Sequence, residues 1–145
     1  MTATLTVPAT ELLLAQERWQ AKLDASRHSF SGLLPGASIG IVLKPALDST
    51  EGNMLIWEAR PEKMNVENRM FRGFQAADVD LLFVADDDAV VSLYRGEGNL
   101  LAEMKELIRN GKMLFYALQA QGKLFDLGYE DVLDALGLPF QGACR

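Results

Sequence analysis

The chain has few of the residues on which covalent and metal chemistry usually depend. Its 145 residues include one cysteine and one histidine. Cys144 has no partner for a disulfide within the chain, and a reducing cytoplasm is therefore the expected location. A catalytic Ser-His or Cys-His pair would have to use His28, which follows a predicted helix near Ser26, Ser29 and Ser31. We expect an ordinary exposed histidine, and the sequence favours a role that is not enzymatic.

Basic residues are also fewer than acidic ones. The chain has 14 Lys and Arg against 20 Asp and Glu, for a net charge of −6. This balance argues against nucleic acid or an anionic membrane surface as the main partner, because both favour a basic face. No apolar run approaches the ~18 residues of a membrane span, and the first residues, MTATLTVPATE, lack the pattern of a signal peptide. With 49% hydrophobic residues, we expect one domain over residues 1–145, with residues 1–8 as a loose arm.

The most informative stretch is Val79 to Gly96, in which two apolar runs flank three acids. Leu81 to Val84 predicts a strand that is buried on both faces. The acids Asp86 to Asp88 must leave the core, so the chain turns there. Ala89 to Arg95 is then either a second strand of a hairpin or a short helix with Asp87 or Asp88 at its cap or turn, and the helix is weighed slightly higher. Adjacent acids lack the spacing of a calcium loop, so no metal is expected.

Helical periodicity predicts three further helices. The first runs from a Thr10 cap to about Arg27, and the second begins at an Asn99 cap and stops before Gly111. A short third helix covers Tyr129 to Leu136. The apolar positions of the two long helices are Leu12, Ala15, Trp19 and Leu23, and Leu100, Leu101, Met104, Leu107 and Ile108.

Apolar runs bounded by turn residues predict the remaining strands. These are residues 37–43, 54–59, 63–67 and 113–118, with a tight hairpin at Arg60 to Glu62 and a further extension or pairing at Leu124 to Leu127. Pro45 is expected to end the first of them and to open a polar connection. Arg69 to Ala77 is either a packed loop, which is favoured, or a mobile lid. The order predicts an α+β fold with a mixed, mostly antiparallel sheet of about five strands and helices on one face.

Several of these segments resemble the sterol carrier protein 2 fold. Ala77 to Gly96, ADVDLLFVADDDAVVSLYRG, is similar to that family's strand, Asp-containing turn and short helix with a terminal glycine. Thr10 to Glu67 is similar to its first helix, strand and hairpin, and Asn99 to Leu118 to its next helix and Gly-Lys strand start. The resemblance implies an apolar tunnel between the sheet and the helices that holds a lipid or acyl ligand, in a domain that is not itself a catalyst.

The first functional hypothesis is therefore a small, non-catalytic binding or carrier domain for an apolar ligand, without a cofactor. Its ligand-binding residues are predicted between the second long helix, the last strand and the terminal helix: Leu101, Met104, Ile108, Phe115 and Leu133. The alternative is a regulatory protein that acts through dimerisation or another protein contact. An enzyme that uses carboxylates such as Asp78 or Asp80 is the third and least favoured hypothesis.

Overall fold

The computed structural model describes residues 8–49 and 52–138. The predicted N-terminal arm, apart from Pro8, and Cys144 lie outside this range. The helices are α1 (Ala9–Leu12), α2 (Gln16–Ala25), α3 (Lys44–Ser49), α4 (Asp87–Arg95), α5 (Leu100–Arg109), α6 (Gln121–Asp126) and α7 (Glu130–Ala135). The strands are β1 (Ser38–Leu43), β2 (Gly52–Ala59), β3 (Met64–Phe71), β4 (Leu81–Ala85) and β5 (Met113–Ala117), and two 3₁₀ helices cover Arg27–Phe30 and Phe74–Ala76.

The five strands form one sheet in the order β3-β2-β1-β4-β5. Only β1 and β4 are parallel, and the other three pairings are antiparallel. The apolar run from Leu81 to Val84 is completely buried because β4 lies inside the sheet with both faces covered. The predicted α+β class with a mixed, mostly antiparallel sheet is confirmed.

Side chains that alternate along the strands supply two hydrophobic clusters, one on each face of the sheet. In β2, Leu55 and Trp57 join the larger cluster beneath the longer helices, whereas Met54 and Ile56 join a smaller one on the opposite face. The smaller cluster includes Ala46 of α3 and residues that precede β4. Within the described residues, none of the helices has the length and apolar character needed to cross a bilayer.

The segment after the three acids is a helix, α4, as the favoured interpretation predicted. The residue at its N-cap is Asp86, in an extended conformation and without a side-chain capping bond, so Asp87 and Asp88 lie in the first turn. There they complement the positive end of the helix dipole. Gly96 follows α4 with φ −63°, so it does not end the helix in the left-handed conformation that is common for such a glycine. A Cβ at this position would overlap the Glu103 carboxylate unless that side chain moved aside.

Several element boundaries differ from the sequence predictions. The first long helix is divided between α1 and α2, with Ala15 in a non-helical conformation. Residues 44–49 are helical because Pro45 lies in the first turn of α3, where a missing N–H costs nothing. Residues 121–126 are also helical, since a short apolar run fits a helix as well as a strand.

The segment Arg69 to Ala77 completes β3 and then forms the 3₁₀ helix Phe74–Ala76. The centroid of the Phe74 ring lies 6.4 Å from that of Phe71 and 5.0 Å from that of Tyr116. The segment therefore contacts the smaller cluster through these rings, as the favoured interpretation predicts, while Phe74 itself is 40% exposed.

Candidate functional site

A pocket of about 380 Å³ opens where the β2–β3 hairpin meets the 3₁₀ helix Arg27–Phe30. Antiparallel pairing of β1 with β2 places Ser38 opposite Glu58, so the loop before β1 and the hairpin after β2 lie at the same end of the sheet. Backbone hydrogen bonds hold the hairpin: Ala59 N donates to Ala37 O over 2.8 Å, and Arg60 N donates to Lys63 O over 2.8 Å.

The floor of this pocket is apolar and its rim is largely basic. Four floor residues are buried: Phe30, Leu33, Ala59 and Met64. The charged and titratable residues of the rim are exposed: Arg27, His28, Arg60, Glu62 and Lys63. Arg60 also contacts the Glu58 carboxylate at 3.3 Å. A basic rim is unusual for a chain of net charge −6, and with the apolar floor it suits a molecule that has an apolar body and an acidic end.

Trp57 lies behind the floor and carries a buried donor without an acceptor. Its ring is fully buried and lies 6.2 Å from the ring of Phe30 in an edge-on arrangement. Trp57 Nε1 has no hydrogen-bond partner among the described residues, whereas Trp19 Nε1 donates to Leu12 O over 2.8 Å. Buried donors are nearly always paired, and an unpaired one costs about 1–3 kcal/mol. Phe30 therefore both lines the pocket and packs edge-on against the Trp57 ring.

The five ligand-binding residues predicted from the sequence belong to one hydrophobic cluster. Leu101 and Met104 are each 1% exposed and Leu133 is 4% exposed, while Ile108 and Phe115 are half-buried. Helix α5 contacts both β5 and α7, the three elements that carry these residues. Whether they line a ligand cavity or fill the core stays a prediction. The floor residues of the pocket belong to the same cluster.

A buried polar network joins the terminal helix to the sheet. The Tyr129 hydroxyl donates to the Asp80 carboxylate over 2.8 Å, and its oxygen lies 3.0 Å from Ser38 O. The same carboxylate accepts from Ser38 N over 3.0 Å. Burial, reinforced by the Asp80 carboxylate, raises the pKa of Tyr129 well above its usual value. Asp80, one of the carboxylates named in the enzyme hypothesis, accepts these hydrogen bonds and holds α7 against β1 and β4.

We expect Tyr129→Phe to lower the free energy of unfolding by about 1–2 kcal/mol at neutral pH, because Asp80 loses a buried donor. The raised pKa keeps the hydroxyl neutral in the folded state, so its contribution is complete below the unfolded pKa of about 10 and falls as the pH rises above it. Denaturant unfolding of both proteins at neutral and alkaline pH measures this effect. The stability difference should shrink above pH ~10, and a difference that stays constant would contradict the assignment.

A buried cation, Lys22, lies at the C-terminal end of α4. Its ammonium donates to Gly96 O and lies 3.7 Å from Glu103 Oε1, and Arg18 Nε donates to Tyr94 O over 2.8 Å. Burial lowers the pKa of Lys22, and the Glu103 carboxylate opposes this effect. Both cations satisfy carbonyl groups that the helix end leaves unpaired, so this cluster caps α4.

The pocket was not predicted from the sequence, although one of its walls, the hairpin Arg60 to Glu62, was expected as a tight turn. Antiparallel pairing of the first two strands places this turn and the residues before β1 at the same end of the sheet. The apolar residues beside the turns, Phe30 and Met64, would then have indicated a floor.

Comparisons with known proteins identify no family for this chain. No family model and no curated protein matches it. Among solved structures, it is similar to the solution structure of a conserved hypothetical protein from Thermus thermophilus that is named as a suggested sterol carrier protein. The match has a TM-score of 0.45 at 13% sequence identity and covers 99% of this chain and 97% of the other. A distant resemblance at this level does not identify a function.

Proposed function

We propose that the chain is a non-catalytic domain that binds a small apolar ligand, such as an acyl chain with an acidic end, in the pocket between Arg27–Phe30 and the β2–β3 hairpin. The observation that carries this proposal is the buried apolar floor of a pocket of about 380 Å³. That volume lies within the range of small-molecule sites, which are mostly apolar with a few polar groups that orient the ligand.

The rim and the floor would bind different parts of the ligand. Arg27 and Lys63 stand on opposite walls of the pocket, where a carboxylate could pair with either side chain. The apolar body would lie over Phe30 and Met64, and the flexible methionine side chain adapts easily to a ligand's shape. The Trp57 ring packs edge-on against Phe30, so its environment would change when a ligand binds on this floor.

The five residues predicted from the sequence remain a second proposed location for the same ligand. They share one hydrophobic cluster with the pocket floor, so a ligand that enters at the hairpin could extend toward α5. The two locations predict different effects of substitution at Ser31 and at Met104.

Ser31→Phe is expected to weaken binding of a fluorescent fatty-acid probe by about tenfold or more, because this exposed serine lines the pocket and a phenyl group would obstruct it. Ser92→Phe, at an exposed position of α4, is the matched control and should bind the probe like the wild type. A probe titration with both variants measures the effect, and thermal melts confirm that both are folded. Equal binding by all three proteins would remove the pocket as the site, and no binding by any of them would remove the ligand-binding function.

The alternative hypothesis, dimerisation, concerns the opposite edge of the sheet. It requires an exposed surface that a second copy could cover, and β5 forms that edge.

A further inference from the structure

The two edges of the sheet are protected very differently. At β3, the side chain of Gln20 in α2 bonds to the edge: its Oε1 accepts from Val66 N over 3.1 Å, and its Nε2 donates to Met64 O over 2.8 Å. The Asn68 side chain donates to Leu13 O over 2.9 Å. Helix α2 therefore occupies the edge of β3, whereas β5 forms the other edge of the sheet.

The register of β4 and β5 shows which backbone groups of β5 face outward. Leu118 N donates to Asp80 O over 2.9 Å, and Asp86 N donates to Lys112 O over 3.1 Å. Hydrogen-bonded pairs alternate along an antiparallel ladder, so Leu114 and Tyr116 bond to β4. The N–H and C=O groups of the intervening residues point away from the sheet; these residues are Met113, Phe115 and Ala117. None of these outward groups has a backbone partner among the described residues.

The side chains of β5 offer no barrier to another strand. Its sequence, MLFYA, contains no charge and no proline, whereas edge strands usually carry lysine, proline or a bulge that prevents pairing. Leu114 is 40% exposed on the face of the smaller cluster, next to Tyr116 two residues along the same face.

We propose that β5 pairs antiparallel with β5 of a second copy, about a two-fold axis at Phe115. In this register Phe115 bonds to its own counterpart, and Met113 bonds to Ala117 of the partner subunit. Every outward N–H and C=O group of the strand then finds a partner, because Phe115 is both the central residue and an outward-facing one. The pairing is isologous, which is the usual symmetry of a homodimer, and it joins the two five-stranded sheets into one.

The lack of charge on β5 allows a second copy to be the occupant. Each copy carries a net charge of −6, so two copies should approach through a surface without acidic residues. The proposed register places Leu114 opposite Tyr116 of the partner subunit and Lys112 opposite Leu118 of the partner subunit, so no two like charges face each other. The β5 edge is separate from the ligand pocket, which lies at the β2–β3 hairpin.

Ala117→Pro tests the proposal with the least disturbance of the monomer. The Ala117 N–H faces away from β4, so its loss removes no bond within the sheet but removes a donor to the partner, and the proline ring obstructs the approach. We expect the wild type to form a concentration-dependent dimer in a sedimentation experiment, and the variant to dimerise about tenfold or more weakly.

Leu114→Glu is the second variant, and it tests the same edge if the proline prevents folding. Leu14→Glu, at a residue 46% exposed in the linker between α1 and α2, is its control.

Amide hydrogen exchange distinguishes dimerisation through β5 from a general change in the stability of the protein. The amides of Phe115 and Ala117 should become protected as the protein concentration rises, while those of Leu114 and Tyr116 should be protected at every concentration. A wild type that stays monomeric, or a dimer that both variants leave intact, would overturn the proposal. Outward amides that are already protected in the monomer would overturn it as well, because another part of the chain would then cover the edge.

Discussion

Gly128→Ala is expected to lower the free energy of unfolding by roughly 3–5 kcal/mol. Gly128 joins α6 to α7 with φ +88°, a conformation that alanine adopts only with strain. A Cβ at this position would also overlap the carbonyl oxygen of Gly32. Both obstacles involve backbone, which cannot rotate aside as a side chain can. The nearby bond from Leu34 N to Leu127 O, over 2.9 Å, holds the two segments at this distance.

Gly111→Ala separates the two causes. Gly111 also has a positive φ, +76°, but a Cβ there would meet no atom within 4 Å. Its replacement should therefore cost only the conformational strain, about 1 kcal/mol. Urea unfolding of the two variants measures the difference between them. Equal losses would show that the contact between Gly128 and Gly32 does not constrain the fold.

Met104→Trp is expected to lower the free energy of unfolding by about 1–3 kcal/mol, because a larger ring must displace its neighbours in a filled core. Met104 is 1% exposed and belongs to the larger hydrophobic cluster. A thermal melt with and without a fluorescent fatty-acid probe measures stability and binding together. Ala102→Trp, at an exposed position of the same helix, is the control for the effect of the ring itself.

The opposite result for Met104→Trp would place the ligand site beside α5 instead of at the β2–β3 hairpin. If the tryptophan raises the melting temperature and abolishes probe binding, it fills a cavity, and the five residues predicted from the sequence would then line the site. If it lowers the melting temperature and leaves probe binding intact, the ligand binds elsewhere, as the pocket at the β2–β3 hairpin predicts.

Features that depend on local chemistry could be predicted from the sequence. The run Leu81 to Val84 had to be buried because it has no polar face, and β4 is completely buried. Asn99 was expected to cap the second long helix, and its Oδ1 accepts from Ala102 N over 3.0 Å. Gly111 was expected beyond the end of that helix, and it has a positive φ.

Features that depend on distant residues could not be predicted. The bond between Tyr129 and Asp80 joins residues 49 positions apart, and neither residue shows in the sequence that the other will be close. The Asp at the N-cap of α4 was misplaced by one or two residues because three adjacent acids offer equivalent candidates. The pocket combines Phe30, from a 3₁₀ helix, with Met64, from β3, and only strand pairing brings them together.

The indole N–H signals in a ¹⁵N–¹H NMR spectrum test the central claim most directly. The chain has two tryptophans: Trp57, whose N–H has no acceptor among the described residues and whose ring contacts Phe30, and Trp19, whose N–H already bonds to Leu12 O. A titration with a medium-chain fatty acid should shift the Trp57 indole signal and the amide signals of the Arg27–Phe30 helix, and should affect the Trp19 indole much less. No shift in any signal, or shifts confined to α5 and α7, would contradict the account.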